Sequence, residues 1–318
     1  VGAFLARSAI QKFITLFFVS IISFLIIHLA PGEPSQIDPL NPKFTQEVLE
    51  RFRKEFHLDK PLHVQYLYFY RDLLTGKSVS WKDNRPVLRK IYERFLNSLP
   101  LFILGTLITW TLSFPVGIHA AIRRGSFYDR STTFLAYLLI SIPSFFFAYM
   151  LIIFVVTHFH VPVIGMETFG ISSKGWHFLM DRVWHLLLPS VLFAAGGIAV
   201  LSRYVRNQML EVEGQDYVRT AKAKGLPPDK VHYKHALRNA LLPFVTMFGL
   251  ILPGLLGGSI IIESIFSWPG MGRMAYEAIL ARDYPLILSV NFISAILVLV
   301  GTFISDLLYM VVDPRIRL

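Results

Sequence analysis

Six long apolar runs alternate with polar stretches along the chain, at roughly Phe13–Ala30, Ser98–Ile122, Ser131–Thr157, Val183–Ser202, Ala240–Phe266 and Pro285–Val312. A helix rises about 1.5 Å per residue, so about 20 apolar residues cross a ~30 Å hydrocarbon core. Each run therefore predicts one membrane-spanning helix, giving an all-α integral membrane protein with six spans. Pro189 and Gly196-Gly197 interrupt the fourth run. No internal repeat is visible.

Two polar stretches stand out between the runs. Asp216–Pro243 is a basic island that reads as two short helices broken at Gly225 and Pro227-Pro228, because Gly ends helices and Pro opens them. Neither half is long enough to be stable alone, so this elbow must dock onto something. The other stretch, 31–97, opens with a Pro-rich turn segment. A helix capped by Thr45 then carries Val48, Leu49, Phe52 and Phe56 on one face, and a second carries Leu62, Tyr66, Tyr70 and Leu73. A small folded external subdomain is predicted, with Val87, Ile91 and Phe95 leading into the second span. The chain divides into 1–97, the first span and this subdomain, and 98–318, the remaining spans with the polar loop 203–239.

Charge orients the chain. An even number of spans places both termini on one side. If that side is cytoplasmic, inner segments hold fifteen of the 31 Lys and Arg residues, including Arg7, Lys12, Arg123, Arg124, Arg130 and eight in loop 203–239. The short outer loops hold only Lys174, Arg182, Arg273 and Arg282. The positive-inside rule thus makes the termini and the elbow cytoplasmic. The formal net charge of +10 reflects this topology rather than nucleic-acid binding.

Composition agrees: 54% of residues are hydrophobic and 16% charged, outside the range of soluble globular chains. Cysteine is absent, which removes disulfide and thiolate chemistry. Thr75–Ser78 reads TGKS, but a phosphate loop needs Gly five residues before Gly76, where Arg71 stands. Neither H-E-x-x-H nor G-x-S-x-G occurs, so no catalytic set is visible. His158, His160, His177 and His185 lie in outer segments without metal-ligand spacing or supporting carboxylates, and no metal site is expected.

Ionisable residues within the runs are scarce. Glu263 near the outer end of the fifth and Asp306 in the inner half of the sixth are functional candidates by position, with helix packing as the alternative. So few argue against proton coupling. Bending residues are plentiful: Pro143 with Ser144 and Phe145, then Gly249, Pro253, Gly257 and Gly258. With Glu263 they are the candidates for lining or gating a pathway. Ser267–Arg273, SWPGMGR, forms an outer turn whose glycines predict a specific backbone shape.

Together IIHLAPGEP, KPLHVQY, RRGSFYDR, ISIPSF, GQDYVRTAKAKGL, HALRNALLP, ESIFSWPGMGR, ARDYPL and DPRIRL span nearly the whole chain. It resembles the B-type membrane permease subunit of bacterial dipeptide, oligopeptide and nickel ABC importers, which implies the type I importer permease fold in the bacterial inner membrane. In that superfamily an E-A-A-x-x-x-G loop forms a coupling helix on the ATPase subunit. Gly225 matches the Gly, and Arg219, Thr220 and Ala221 stand at E-A-A, so only the second Ala is kept. The general I-x-L-P ending is replaced by His235–Arg238, with proline only at Pro243.

The resemblance implies ATPase coupling through Asp216, Tyr217, Arg219, Thr220, Ala221, Lys222, Ala223, Lys224 and Gly225. It places Trp268, Pro269, Gly270 and Arg273 towards an extracytoplasmic substrate-binding protein. It further implies a second, homologous permease subunit in the bilayer and two cytoplasmic ATPases that bind ATP and Mg, with no cofactor on this chain. Peptides lead as the solute, with nickel or another small solute as the alternative. An ion-coupled secondary transporter, an exporter or channel, and a structural protein are the competing classes.

Overall fold

The computed structural model describes residues 2–29, 46–170, 175–249, 251, 254 and 259–312. Among the described residues the chain is helical, and the only β pairing is an isolated bridge between Val79 and Pro86. Thr45, Lys174, Pro253, Gly257 and Gly258 lie outside the described residues.

Two helices organise the bundle: α4 (Val87–Ile122) and α7 (Trp176–Glu213). They lie side by side along much of their length. Small residues permit the approach. A Cβ on Gly117 would fall 2.4 Å from the Ser202 carbonyl oxygen and 2.7 Å from Val205 Cβ. Thr109 Oγ1 donates across to the Ala194 carbonyl of α7 at 3.5 Å, besides its bond within α4 to the Gly105 carbonyl at 2.8 Å. In lipid, close packing and such bonds replace the hydrophobic drive between helices.

Both helices depart from their predicted limits. α4 begins at Val87, not Ser98, because its first turns are amphipathic rather than apolar. Val87 and Ile91 are buried against Met271, Met274 and Leu286, while Arg89 and Glu93 pair outside at 3.0 Å. It runs unbroken across residue 97. α7 passes straight through Pro189 and Gly196-Gly197 and reaches Glu213.

The third apolar run is two helices, α5 (Phe127–Ser141) and α6 (Ser144–Phe159), bent by 99°. Ile142 precedes Pro143 and takes an extended ψ of 123°, as ring sterics demand of a residue before proline. Among the described residues four helices are long and apolar enough to span alone: α1 (Gly2–Leu29), α4, α7 and α14 (Tyr284–Val312). The α5–α6 pair makes five if it is one broken span.

α1 packs on α14. Lys12 Nζ lies 2.9 Å from Asp306 Oδ2, donates to Ser8 Oγ at 3.0 Å, and sits 5.7 Å from the Phe303 ring centre. Asp306 thus pairs helices, as charges within membrane helices generally do.

One end of the bundle carries α2 (Gln46–Glu55), α3 (Leu62–Leu74), α12 (Ile260–Ile265) and α13 (Met271–Leu280); we call it the cap end. Trp81 sits there between Phe52, Phe56 and Tyr284, with ring centres 5.3–5.5 Å apart. The other, the elbow end, carries α8 (Asp216–Ala223), α9 (Lys230–Ala236) and α10 (Leu237–Ala240), which leads into α11 (Leu242–Gly249).

The α4–α7 contact predicts an asymmetry between glycines. Gly117→Ala forces the helices apart and lowers stability by about 1–3 kcal/mol, as overpacking does. Gly196→Ala meets no atom within 4 Å and leaves stability unchanged or slightly raised. Thermal unfolding of the two purified variants in one detergent compares them; equal losses would contradict the packing described.

Candidate functional site

The elbow is built by a helix too short to stand alone. α8 has eight residues and takes its stability from two side chains, Val218 and Ala221, which are buried. They join a cluster with Ile118 and Ala121 of α4, Leu201, Val205 and Met209 of α7, and Val231, Ala236 and Ala240 beyond the turn. α9 is wound with i→i+5 bonds, which brings Val231 and Ala236 to the same buried side.

Gly225 closes α8. Its φ is +73°, a left-handed conformation that favours glycine. Its amide donates to the Lys222 carbonyl at 3.0 Å, and the Leu226 amide donates to Ala221 at 3.4 Å. This is a Schellman closure, and Leu226 packs on the apolar cluster to complete it. His232 Nδ1 lies 2.7 Å from Glu213 Oε1 and ties the returning helix to the end of α7.

Of the nine residues expected to couple to a partner, eight share the exposed side: Asp216, Tyr217, Arg219, Thr220, Lys222, Ala223, Lys224 and Gly225. Ala221 does not. Its small side chain packs against the bundle. Arg219 and Asp216 are 3.8 Å apart and well exposed, a pairing of negligible strength that leaves both free to engage other groups.

A second tie near this end was not read from the sequence. Arg206 of α7 donates twice to Asp129, at 2.6 and 2.9 Å, and the Gly125 amide adds a third bond at 2.8 Å. Ser126 Oγ in turn accepts from the Asp129 amide at 3.3 Å. The signal was present, since Ser126-x-x-Asp129 is a capping-box spacing.

The cap end is organised by buried carboxylates. Glu263 has no exposed surface. Ser98 Oγ donates to it at 2.8 Å and the Arg273 amide at 2.9 Å, with the Gly272 amide close by. Glu263 thus caps the start of α13, where free amides and the helix dipole favour an anion. A Cβ on Gly270 would fall 2.4 Å from both Glu263 Cδ and Ser98 Oγ, so the glycine makes room for the carboxylate.

Two of these positions are structural ties. Glu263 is buried and holds α12 to α13. Trp268 and Gly270 do not face outward. Trp268 is buried, its Nε1 donates to the Asn97 carbonyl at 2.8 Å, and Asn97 Nδ2 donates to the Pro269 carbonyl at 3.0 Å. The SWPGMGR turn therefore clamps α4. Pro269 and Arg273 stay partly exposed, and Arg273 pairs with Glu277 at 2.9 Å. Pro143, Ser144 and Phe145 lie exposed at the α5–α6 bend, and Gly249 closes α11.

Asp283 is a second buried carboxylate. It accepts from Ser80 Oγ, from the Trp81 amide at 3.1 Å and from the Leu286 amide at 3.4 Å, joining loop 75–86 to the start of α14. Lys90 bridges Ser80 at 2.9 Å and Asp83 at 2.9 Å. Burial pushes the Asp83 carboxyl up, but Lys90, the Arg85 amide and Ser80 outweigh it and hold the carboxyl below its ordinary range. Among the described residues no three His, Asp or Glu side chains converge as metal ligands would.

The helical arrangement has a counterpart among solved structures. It superposes on a chain of the MetNI methionine ABC transporter in an inward-facing conformation with TM-score 0.52, at 19% identity, over 72% of this chain and 99% of that one. The chain belongs to the family described as binding-protein-dependent transport system inner membrane component, whose profile matches residues 113–318, with the family's N-terminal profile on residues 2–102. It is 38% identical over 319 residues to the oligopeptide transport system permease protein AppB of Bacillus subtilis, covering 99% of each chain. It is 36% identical to the dipeptide transport system permease protein DppB of Escherichia coli K12, covering 94% of each. Against the glutathione transport system permease protein GsiC of Salmonella typhimurium it is 36% identical, covering 95% of each. It is thus a permease subunit of the inner membrane, in a family whose members are not the catalytic component.

The Glu263 cap predicts graded losses. Glu263→Ala leaves buried amides and the Ser98 hydroxyl unpaired, each costing about 1–3 kcal/mol. Glu263→Gln keeps an acceptor oxygen and loses less. Thermal unfolding of the purified variants measures this; indistinguishable melting of the two would contradict the capping role.

Proposed function

We propose that this chain forms half of the translocation pathway of an ATP-driven importer for di- or oligopeptides, working by alternating access. The observation that carries the reading is α8, a helix whose outer side is polar and exposed while its inner side is buried against α4 and α7. A partner that pushes on α8 pushes on the two longest helices of the bundle.

In this reading the chain crosses the membrane six times, with both termini and the elbow in the cytoplasm; the basic residues around the elbow support that orientation. A second, homologous permease completes the pathway. Two cytoplasmic ATPases bind ATP and Mg and engage Asp216, Tyr217, Arg219, Thr220, Lys222, Ala223, Lys224 and Gly225. An extracytoplasmic binding protein delivers the solute to the cap end. The chain itself is a bistable element whose equilibrium is biased by nucleotide and by the loaded binding protein. The names of the relatives, an oligopeptide, a dipeptide and a glutathione system, support a peptide over nickel.

Reconstitution into liposomes with both permeases, both ATPases and the binding protein tests the proposal. Labelled di- or oligopeptide should accumulate only with ATP. Uptake by this chain alone, driven by an ion gradient, would overturn it. Gly225→Val sharpens the test. Its Cβ meets nothing within 4 Å, so its effect is the strain of a β-branched residue at φ +73°, on the order of 1–2 kcal/mol. The variant should assemble and hydrolyse ATP while peptide uptake falls steeply; normal coupled uptake would remove the elbow from the mechanism.

A further inference from the structure

We propose that α3, in the segment that reads from sequence as an external cap, is embedded in the cap-side leaflet of the membrane, with its leucine stripe against lipid. The proposal rests on α1 and α14 spanning the bilayer, and not on the solute or the direction of transport.

Two independent rulers set the depth. Tyr66 Oη is 2.7 Å from Ser20 Oγ, and Tyr70 Oη donates to the Ser20 carbonyl at 3.3 Å. Ser20 lies nine residues inside the end of α1 at Leu29, about 13 Å along the helix. On the other side the Tyr70 ring packs 4.9 Å from Phe292. Phe292 lies eight residues inside the start of α14 at Tyr284, about 12 Å along the helix. The apolar stretches of these helices, Arg7–Leu29 and Tyr284–Leu307, are the length of the hydrocarbon core. A helix clasped at Ser20 and Phe292 therefore lies well within it.

The two faces of α3 agree. Tyr66, Phe69, Tyr70 and Leu73 turn towards the bundle, and Phe24 of α1 meets the Tyr66 ring at 5.4 Å. Leu67 and Leu74, two turns apart, are 64% and 76% exposed, with Leu62 also exposed. In water that stripe is unfavourable; in lipid it continues the exposed apolar face of α1 at Phe17, Phe18, Ile22 and Ile26. Thirteen residues are too few to span but suit an interfacial or re-entrant helix. Arg71 is accommodated: it donates to Asp72 at 2.8 and 3.0 Å and stacks on Tyr68 at 4.5 Å. Its charge is paired, and its long stem can reach the headgroups.

The chain has no cysteine, so single-cysteine variants carry one nitroxide each without background. Leu67→Cys, Phe18→Cys as the lipid reference and Lys82→Cys as the water reference are labelled and reconstituted. Power saturation then compares their exposure to oxygen and to a water-soluble nickel chelate. The expected oxygen-to-nickel accessibility ratio at Leu67 matches that at Phe18 and is severalfold above that at Lys82. A ratio at Leu67 like that at Lys82, with Phe18 reading as lipid, overturns the proposal. So does a label at Leu67 shielded from both reagents, which would place protein on the stripe. Water-like values at Phe18 would instead fail the spanning of α1 itself.

Discussion

The elbow depends on one contact: the burial of Val218, Ala221, Val231 and Ala236 beneath α4 and α7. Without it α8 has no reason to be helical and the exposed polar residues have no fixed geometry. The contact is almost wholly apolar and made of small side chains. Its geometry is set by shape rather than by hydrogen-bond direction. The outer residues carry no part of this packing. The exposed side of α8 is therefore separate from the packing that holds the elbow in place.

The cap end is held differently. Glu263 and Asp283 are buried carboxylates that receive amide hydrogens at the starts of α13 and α14. Such bonds are directional and costly to leave unmade. Asn97 and Ser98 extend the same network to α4. The elbow end is thus held by apolar packing with two charged ties, and the cap end by apolar packing with buried carboxylates.

The elbow was legible in the sequence because its punctuation is local: Gly225 in a left-handed conformation with Pro227-Pro228 close behind it ends one short helix and opens the next. The second amphipathic run, Leu62 to Leu73, was legible from its periodicity for the same reason. The roles of Glu263 and Trp268 were not, because what buries them is distant in sequence: Ser98 and Asn97 on another helix. An acid beside a glycine-rich turn after an apolar run reads as an interfacial residue until the start of α13 is seen to need a cap. The α5–α6 bend was signalled by Ile142-Pro143 but masked by the continuity of the apolar run, while Pro189 in α7 made no break at all. A proline marks a possible bend, and the neighbouring helices decide whether it is taken.

α7 has a mechanical consequence. It is one uninterrupted helix from the cap end to the elbow, and its only internal proline, Pro189, sits 24 residues above Glu213. That length is a stiff arm of about 36 Å. Proline removes one backbone bond and makes its position a compliant point of the arm. A pivot of about 5° there would swing the elbow by about 3 Å, a lever arithmetic that follows from helix rise alone. Small displacements of α8 thus require only small angular changes near the opposite surface, and the same geared relation runs in reverse.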